Sequence, residues 1–331
     1  MSPKLRNFFL FIGVVAVVVM LLTFNMSWQE VLHNVRRAGL WLPAVILLWL
    51  PIYMINAKAW QVLVNNGESD RVGFWRILKY TISGFSLNAV TPVGLLGGEP
   101  YRIMELTPYV GKSRAASSVI LHAMMHIFSH FWFWTFSIVL YLVGYHASLT
   151  PAVTLMLVAA AAFCALGIYF FLQGYRDGLA MRALRFFSRW PLVGRRVRAF
   201  AEAHCEGIQR VDRQIAALHA QRRSTFYTSL LLEFGGRMLG CVELLFILFI
   251  FTTDISYWDC VLMQAFASLF ANLMFFIPMQ MGTREGGLAL VVNSLHMHGV
   301  YGVLTGLITR LREMVWICIG LLLIRIGNKK T

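Results

Sequence analysis

The chain has 331 residues, of which 58% are hydrophobic and only 13% charged, with a mean hydropathy of +0.66 and a formal net charge of +14. A soluble domain carries about 25% charged residues, so too few remain here to coat a globule, and an integral membrane protein is expected. At roughly 20 residues per span plus connections the length admits about six to eight membrane-embedded segments and leaves no room for a large soluble domain. The positive charge then belongs on cytoplasmic loops facing anionic lipid, not on a nucleic-acid interface. The cysteines (Cys164, Cys205, Cys241, Cys260 and Cys318) are scattered without a C-x-x-C pair. That argues against a zinc site or a disulfide framework and for small core hydrophobes.

Lys4 and Arg6 precede an apolar run from Phe8 to Phe24. No small-residue cleavage site follows, and the run is long enough to cross a bilayer, so a retained first span with a cytoplasmic N-terminus is expected. Ser27 to Arg37 reads as an interfacial connection. A second span follows over about Leu40 to Ala57, with Trp41 and Trp60 as belt residues and Pro43 and Pro51 as kinks or boundaries. Arg71 to Tyr80 mixes bases with aromatics and reads as a short helix in the headgroup layer. Thr81 to Gly98 then forms a re-entrant hairpin from the cytoplasmic side, returning there at Arg102, Lys112 and Arg114.

Ser117 to Val143 and Ala152 to Leu172 are the next spans, joined by a turn at Ser148 to Pro151. Gly174 to Arg223 carries eleven arginines against Asp177, Glu202, Glu206 and Asp212. The positive-inside rule makes it cytoplasmic, and apolar residues at helical spacing from Val197 to Leu218 predict a surface helix or helical hairpin. It fixes the topology as a solvated connection or meets anionic lipid headgroups. Phe226 to Phe251 spans outward, and Thr252 to Asp259 is a short external loop. Cys260 to Gly287 holds a second break, Leu288 to His298 is short and apolar, and Val300 to Ile324 is the final span before the basic C-terminus.

Two stretches organise this order. Asn88 to Arg102 reads N-A-V-T-P-V-G-L-L-G-G-E-P-Y-R, and Pro278 to Gly287 reads P-M-Q-M-G-T-R-E-G-G. In both, a glutamate follows the proline by seven positions, Pro92 to Glu99 and Pro278 to Glu285. Breakers at membrane depth survive where the freed backbone faces protein or a water-filled cavity. Paired interrupted segments in corresponding halves point to a transporter binding site; two interfacial loops are the alternative. Counting spans places the first hairpin on the cytoplasmic face and the second on the outer face, as an inverted repeat would.

The expectation is an all-α polytopic membrane protein with about six full spans plus two re-entrant or broken-helix hairpins. Residues 1–331 form a single transmembrane domain. A first half, 1–173, holds the break at 88–102; the basic connection is 174–223; a second half, 224–331, holds the break at 278–287.

Charges inside a membrane pair or line a cavity. Glu99 with Arg102, Arg284 with Glu285 and Arg310 with Glu313 are the candidate substrate-binding pairs, since arginine offers a planar bidentate donor to a lipid phosphate. Gly97, Gly98, Gly282, Gly286 and Gly287 let backbone N–H groups and half-helix N-termini face an anionic headgroup. Glu233, Arg237 and Glu243 read equally as register-fixing ion pairs. No Lys-Ser/Thr pair follows the early glycines, so this is no P-loop, and no catalytic motif of hydrolases or zinc proteases occurs. His122, His126 and His130 recur every four residues, a spacing at which neighbours can share a metal. No carboxylate or cysteine lies near in sequence, so packing is the simpler account, with proton coupling a further option. No metal and no cofactor are expected.

The early P-x-G-x-x-G-G-E-P-Y-R (Pro92 to Arg102) and the late P-x-x-x-G-x-R-E-G-G (Pro278 to Gly287) resemble the transmembrane flippase domain of lysylphosphatidylglycerol synthases and its free-standing relatives. The likeness covers nearly the whole chain in length, hydropathy order and motifs. It implies a bacterial or archaeal inner-membrane protein, termini cytoplasmic, that moves a lipid between leaflets. In the fused synthases an aminoacyl-transferase domain follows; its absence before Thr331 implies that this chain does not make aminoacyl lipid. The late motif departs from the commoner family form at Met279, Gln280, Met281 and Thr283, which implies a changed headgroup. The expected function is a flippase for a phosphate-bearing lipid: a phospholipid, an aminoacyl-lipid or a polyprenyl-linked lipid. A membrane-embedded lipid transferase or hydrolase with Glu99 or Glu285 as base is the enzyme alternative; a non-transporting partner of a separate synthase is another. The expected partners are the membrane lipid substrate and anionic headgroups, with self-association into a homo-oligomer left open and nucleic acid excluded.

Overall fold

The structure, a computed structural model of the chain, describes residues 36, 38–66, 71–90, 97–144, 150–173, 222–250, 252–273 and 300–325. Among them every regular element is a helix, because a segment in hydrocarbon must satisfy its own N–H and C=O groups. In chain order these are α1 (Trp41–Val64), α2 (Phe74–Val90), α3 (Gly98–Val110), α4 (Lys112–Gly144), α5 (Pro151–Gln173), α6 (Arg223–Leu248), α7 (Tyr257–Leu273) and α8 (Val300–Arg325). Trp41–Val64, Lys112–Gly144 and Val153–Leu172 are each long and apolar enough to cross a bilayer. The protein is therefore an all-α polytopic membrane protein with at least three spanning helices. Only 11% of Val153–Leu172 is buried, and Leu155, Val158 and Leu166 stand exposed on it. Such a surface is stable against acyl chains, not against water.

Several helices overrun the apolar runs that predict them. The span expected from Ser117 begins at Lys112, and the one expected from Phe226 begins at Arg223. Hydropathy falls where headgroups begin, but the helical ladder continues, and the long basic side chains reach outward along the helix end. α1 runs on through Pro51 to Val64, beyond the expected end at Ala57. The surface helix expected at Arg71 to Tyr80 and the first arm of the hairpin are one helix, α2, since no proline interrupts the chain between Phe74 and Val90. α3 packs against α2, and residues 91–96 lie outside the described ones. The first span at 8–24, the basic connection as far as 221, the late break at 278–287 and Leu288 to His298 also lie outside them.

The chain divides into two compact units. One comprises Met1–Lys58, Val72–Ala115 and Gly235–Thr331; the other comprises Ala59–Arg71 and Ala116–Phe234. In the first, α2 packs along α8. Ser83 donates its hydroxyl to the carbonyl of Gly320 at 3.1 Å, and Ser86 donates to that of Trp316 at 3.1 Å. Gly320 permits this approach: a Cβ there would run into the Ser86 side chain. Leu87, Tyr101, Ile317, Leu321 and Ile324 close an apolar core among α2, α3 and α8. Val45, Ile247 and Ile308 tie α1, α6 and α8 together, and α7 packs on α6 through Leu244, Leu248, Cys260 and Met263. In the second unit Leu63, Leu121 and Met125 form a core with Phe226 and Leu230. There α5 meets α4 through Phe128 stacked on Phe171 at 5.0 Å.

Candidate functional site

The early motif folds as a hairpin arm held by its own polar residues. Asn88, near the end of α2, donates its amide to Glu99 Oε1 at 3.1 Å and accepts the backbone N–H of Gly98 at 2.7 Å. One side chain thus fixes the glutamate and caps the start of α3. Glu99 lies in the first turn of α3, where the helix dipole favours an anion. Arg102, one turn on, stands 3.6 Å from Glu99 and donates to the carbonyl of Thr81 at 3.3 Å. Both side chains are largely buried. Two glycines make the closeness feasible. A Cβ on Gly84 would strike the Arg102 guanidinium, and one on Gly98 would strike the Gly84 carbonyl oxygen. Gly98, expected to offer its N–H to a ligand, directs it to Asn88 instead; Gly97 is buried beside it as the N-cap.

The second cluster sits on α8. Arg310 and Glu313 pair at 3.2 Å, as their spacing predicts. Between them Arg312 is fully buried and grips Glu243 of α6 with two parallel hydrogen bonds, Nε to Oε1 at 2.8 Å and Nη2 to Oε2 at 3.1 Å. Its guanidinium carbon lies 3.8 Å above the Trp49 ring, a cation–π contact in a desolvated place. Tyr53 stands edge to face with Trp49 and with Phe85, Phe85 is tilted against Trp49, and Trp316 lies 4.8 Å from Tyr53. The Trp316 indole is anchored to the carbonyl of Ile46 at 2.9 Å.

This aromatic box links the two clusters. Tyr53 lies within electrostatic reach of Arg312, Glu313, Glu243 and Arg102. Among the described residues the hydroxyl of Tyr53, the indole N–H of Trp49, Glu99 Oε2 and Arg312 Nη1 are buried with no hydrogen-bond partner. Buried polar atoms are nearly always satisfied, and each one left alone costs about 1–3 kcal/mol. Unanswered polar atoms thus lie beside aromatic rings and arginine–carboxylate pairs within one unit.

Over residues 9–320 the chain matches the family described as lysylphosphatidylglycerol synthase TM region. It belongs to that family. No curated protein and no solved structure matches the chain. Lipid transport across the inner membrane is the function that goes with a lysylphosphatidylglycerol synthase TM region, a transport rather than a catalytic part. Among the described residues no group of three or more His, Cys, Asp or Glu could hold a metal ion.

Of the residues expected at the site, the structure joins Glu99 to Arg102 and Arg310 to Glu313. Arg284, Glu285, Gly282 and Gly286 lie outside the described residues. Arg312, Trp49 and Tyr53 were not expected. One signal pointed to Arg312. It is two positions from Arg310, hence about 200° around the helix, so its main partner comes from another helix, and Glu313 Oε1 stands no nearer than 3.9 Å to its Nη1. The remaining acids separate in space: Glu243 belongs to Arg312, whereas Glu233, in the other unit, faces His126 and His122.

Proposed function

We propose that the chain moves a phosphate-bearing lipid, whether phospholipid, aminoacyl-lipid or polyprenyl-linked, between the leaflets of the inner membrane. The headgroup is held by arginines of the two broken motifs while the tails stay in lipid. One observation carries the reading: Tyr53, Glu99 and Arg312 present buried polar atoms without hydrogen bonds beside two arginine–carboxylate pairs. Arg102 and Arg310 supply planar donors that suit phosphate. Glu99 and Glu313 hold these arginines in place or meet a cationic portion of the headgroup. Arg284 and Glu285, with Gly282 and Gly286, supply the matching half from the late motif, and Gly97 lets the early motif turn closely. Opposed insertion of the two hairpins, about six full spans and an inverted repeat provide alternating access. The basic segment 174–223 rests on anionic headgroups at the cytoplasmic face.

The test is translocation of fluorescently labelled phosphatidylglycerol in liposomes carrying the purified chain. Arg284→Ala and Arg102→Ala are expected to lose at least ten-fold in rate, a factor that corresponds to about 1.4 kcal/mol, while still inserting and eluting as the parent does. Unchanged rates in both variants would remove the arginines from the mechanism.

A further inference from the structure

The second unit holds a carboxylate that headgroup binding does not use. The Glu233 side chain on α6 is 1% exposed. His126 Nδ1 hydrogen-bonds to its Oε2 at 2.8 Å, and His122 Nε2 stands 3.0 Å from its Oε1. Oε2 is thus hydrogen-bonded to one imidazole, and Oε1 has the other within ion-pair range without a hydrogen bond. The two imidazoles reach one carboxylate because they lie four residues apart on one face of α4. An isolated carboxylate in this place would be too costly to keep ionised. His122 is buried and His126 is half-exposed. One turn further along α4, the His130 ring lies 5.4 Å from that of His126 and at right angles to it.

Among the described residues, the neighbours that can be named are apolar or neutral. From α1, Trp60 sets its ring 6.0 Å from His122, its indole N–H donated to Ser118 Oγ at 3.4 Å. Leu63 of α1 packs with Leu121 and Met125 of α4, and Phe226 and Leu230 of α6 complete that core. Among the described residues, the charges that act on Glu233 are those of His126 and His122; Arg237 follows one turn further along α6.

Depth gives the triad its meaning. Counted from the starts of the apolar runs, at Ser117 and Phe226, His122 lies five residues in and Glu233 seven. At 1.5 Å per residue that is about 8 and 11 Å, inside a ~30 Å hydrocarbon layer. Ionisable groups at such depth mark ion or proton pathways. Imidazole is the side chain whose charge changes between about pH 5 and 8, and three groups in such contact titrate as a unit.

We propose that His122, His126 and Glu233 form a proton-binding site in the membrane interior, filled and emptied as lipid is moved. Loading adds one proton to an imidazole nitrogen beside the Glu233 carboxylate. Unloading returns that proton through His126, the half-exposed member. No other bond changes and no electron is transferred. The coupling to lipid rests on the transport reading; the proton site does not.

Two measurements separate the halves. In the full chain in phosphatidylethanolamine–phosphatidylglycerol vesicles, nitrogen NMR of labelled histidine should show the pair gaining a proton between about pH 5 and 8. In Glu233→Gln the step should fall by about one pH unit or more, because the opposing charge is gone. A pair fixed in one protonation state from pH 5 to 9, or a step untouched by Glu233→Gln, overturns the site and leaves only a structural ion pair. With labelled phosphatidylglycerol as probe, a gradient of two pH units should speed translocation at least five-fold in the parent. It should have no effect in Glu233→Gln or in His126→Gln, whose half-exposed side chain makes it the milder change. Transport indifferent to the gradient overturns the coupling alone. No transport under any gradient overturns the lipid reading and the coupling with it, and the titration still decides the site.

Discussion

Arg312 is completely buried, and its charge is balanced by Glu243, a residue 69 positions away that grips it at two points. A buried pair of this kind adds little over a well-packed apolar pair, but removing one member leaves a bare charge behind, at about 3–5 kcal/mol. Arg312→Met and Glu243→Met are therefore each expected to lower the unfolding midpoint in detergent sharply. The double replacement should recover most of the loss; if both single variants unfold with the parent, the pair does not hold the helices. The same residue shows what local spacing can and cannot reveal. Arg310 and Glu313 were readable because three positions bring them to one helix face. Arg312, about 200° around the helix from Arg310, signalled only that its main partner lies off that face. Which acid answers it depends on how α6 packs on α8, and no neighbouring residue encodes that. His122 and His126 were similar: their face was plain, but their carboxylate arrives from a helix 107 residues later.

Between α2 and α3 the glycines act as spacers. A methyl group on Gly98 would meet the carbonyl oxygen of Gly84 and, at 2.7 Å, the amide oxygen of Asn88. Gly98→Ala is expected to cost about 1–3 kcal/mol through overpacking and to displace Glu99. Gly235, inside α6, has open space where a Cβ would go. There the change to alanine should raise stability by about 0.5–1 kcal/mol, since only backbone freedom is lost. Thermal unfolding of the two variants side by side checks the contrast; equal shifts would refute it. At this scale the long apolar helices could be placed closely from hydropathy, as for α5, expected at Ala152 to Leu172 and found at Pro151–Gln173. Helix ends bearing Lys112, Arg114 or Arg223 could not, because charge ends a hydropathy run without ending a backbone ladder. Nor could the continuity of α2, since its bases and aromatics mimic a separate surface helix.

For the molecule as a whole, orientation is proposed from charge. Arginines crowd the segment between α5 and α6, while Asp254 lies on the short connection into α7 and Asp259 in the first turn of that helix. With both termini proposed in the cytoplasm, a cysteine introduced at Asp254 should react with an impermeant maleimide added to intact cells. One introduced at Arg189 should react only after the membrane is opened. The reverse pattern would invert the topology and, with it, the faces assigned to the two hairpins. Family membership and all-helical architecture were within reach of the two motifs and the composition, because both depend on patterns repeated along the chain.

α5 leaves a different kind of mark. Cys164 and Phe171 are buried, Gly167 lacks the side chain that would meet the Phe131 ring, and Phe163 packs near Phe131 and Trp134; much of the rest of this helix is exposed where acyl chains would lie. Its outward letters are therefore close to interchangeable among aliphatics, and drift there should be nearly silent. A few anchors along one stripe would keep such a helix docked while the rest of its spelling wanders with the thickness of the bilayer it lives in.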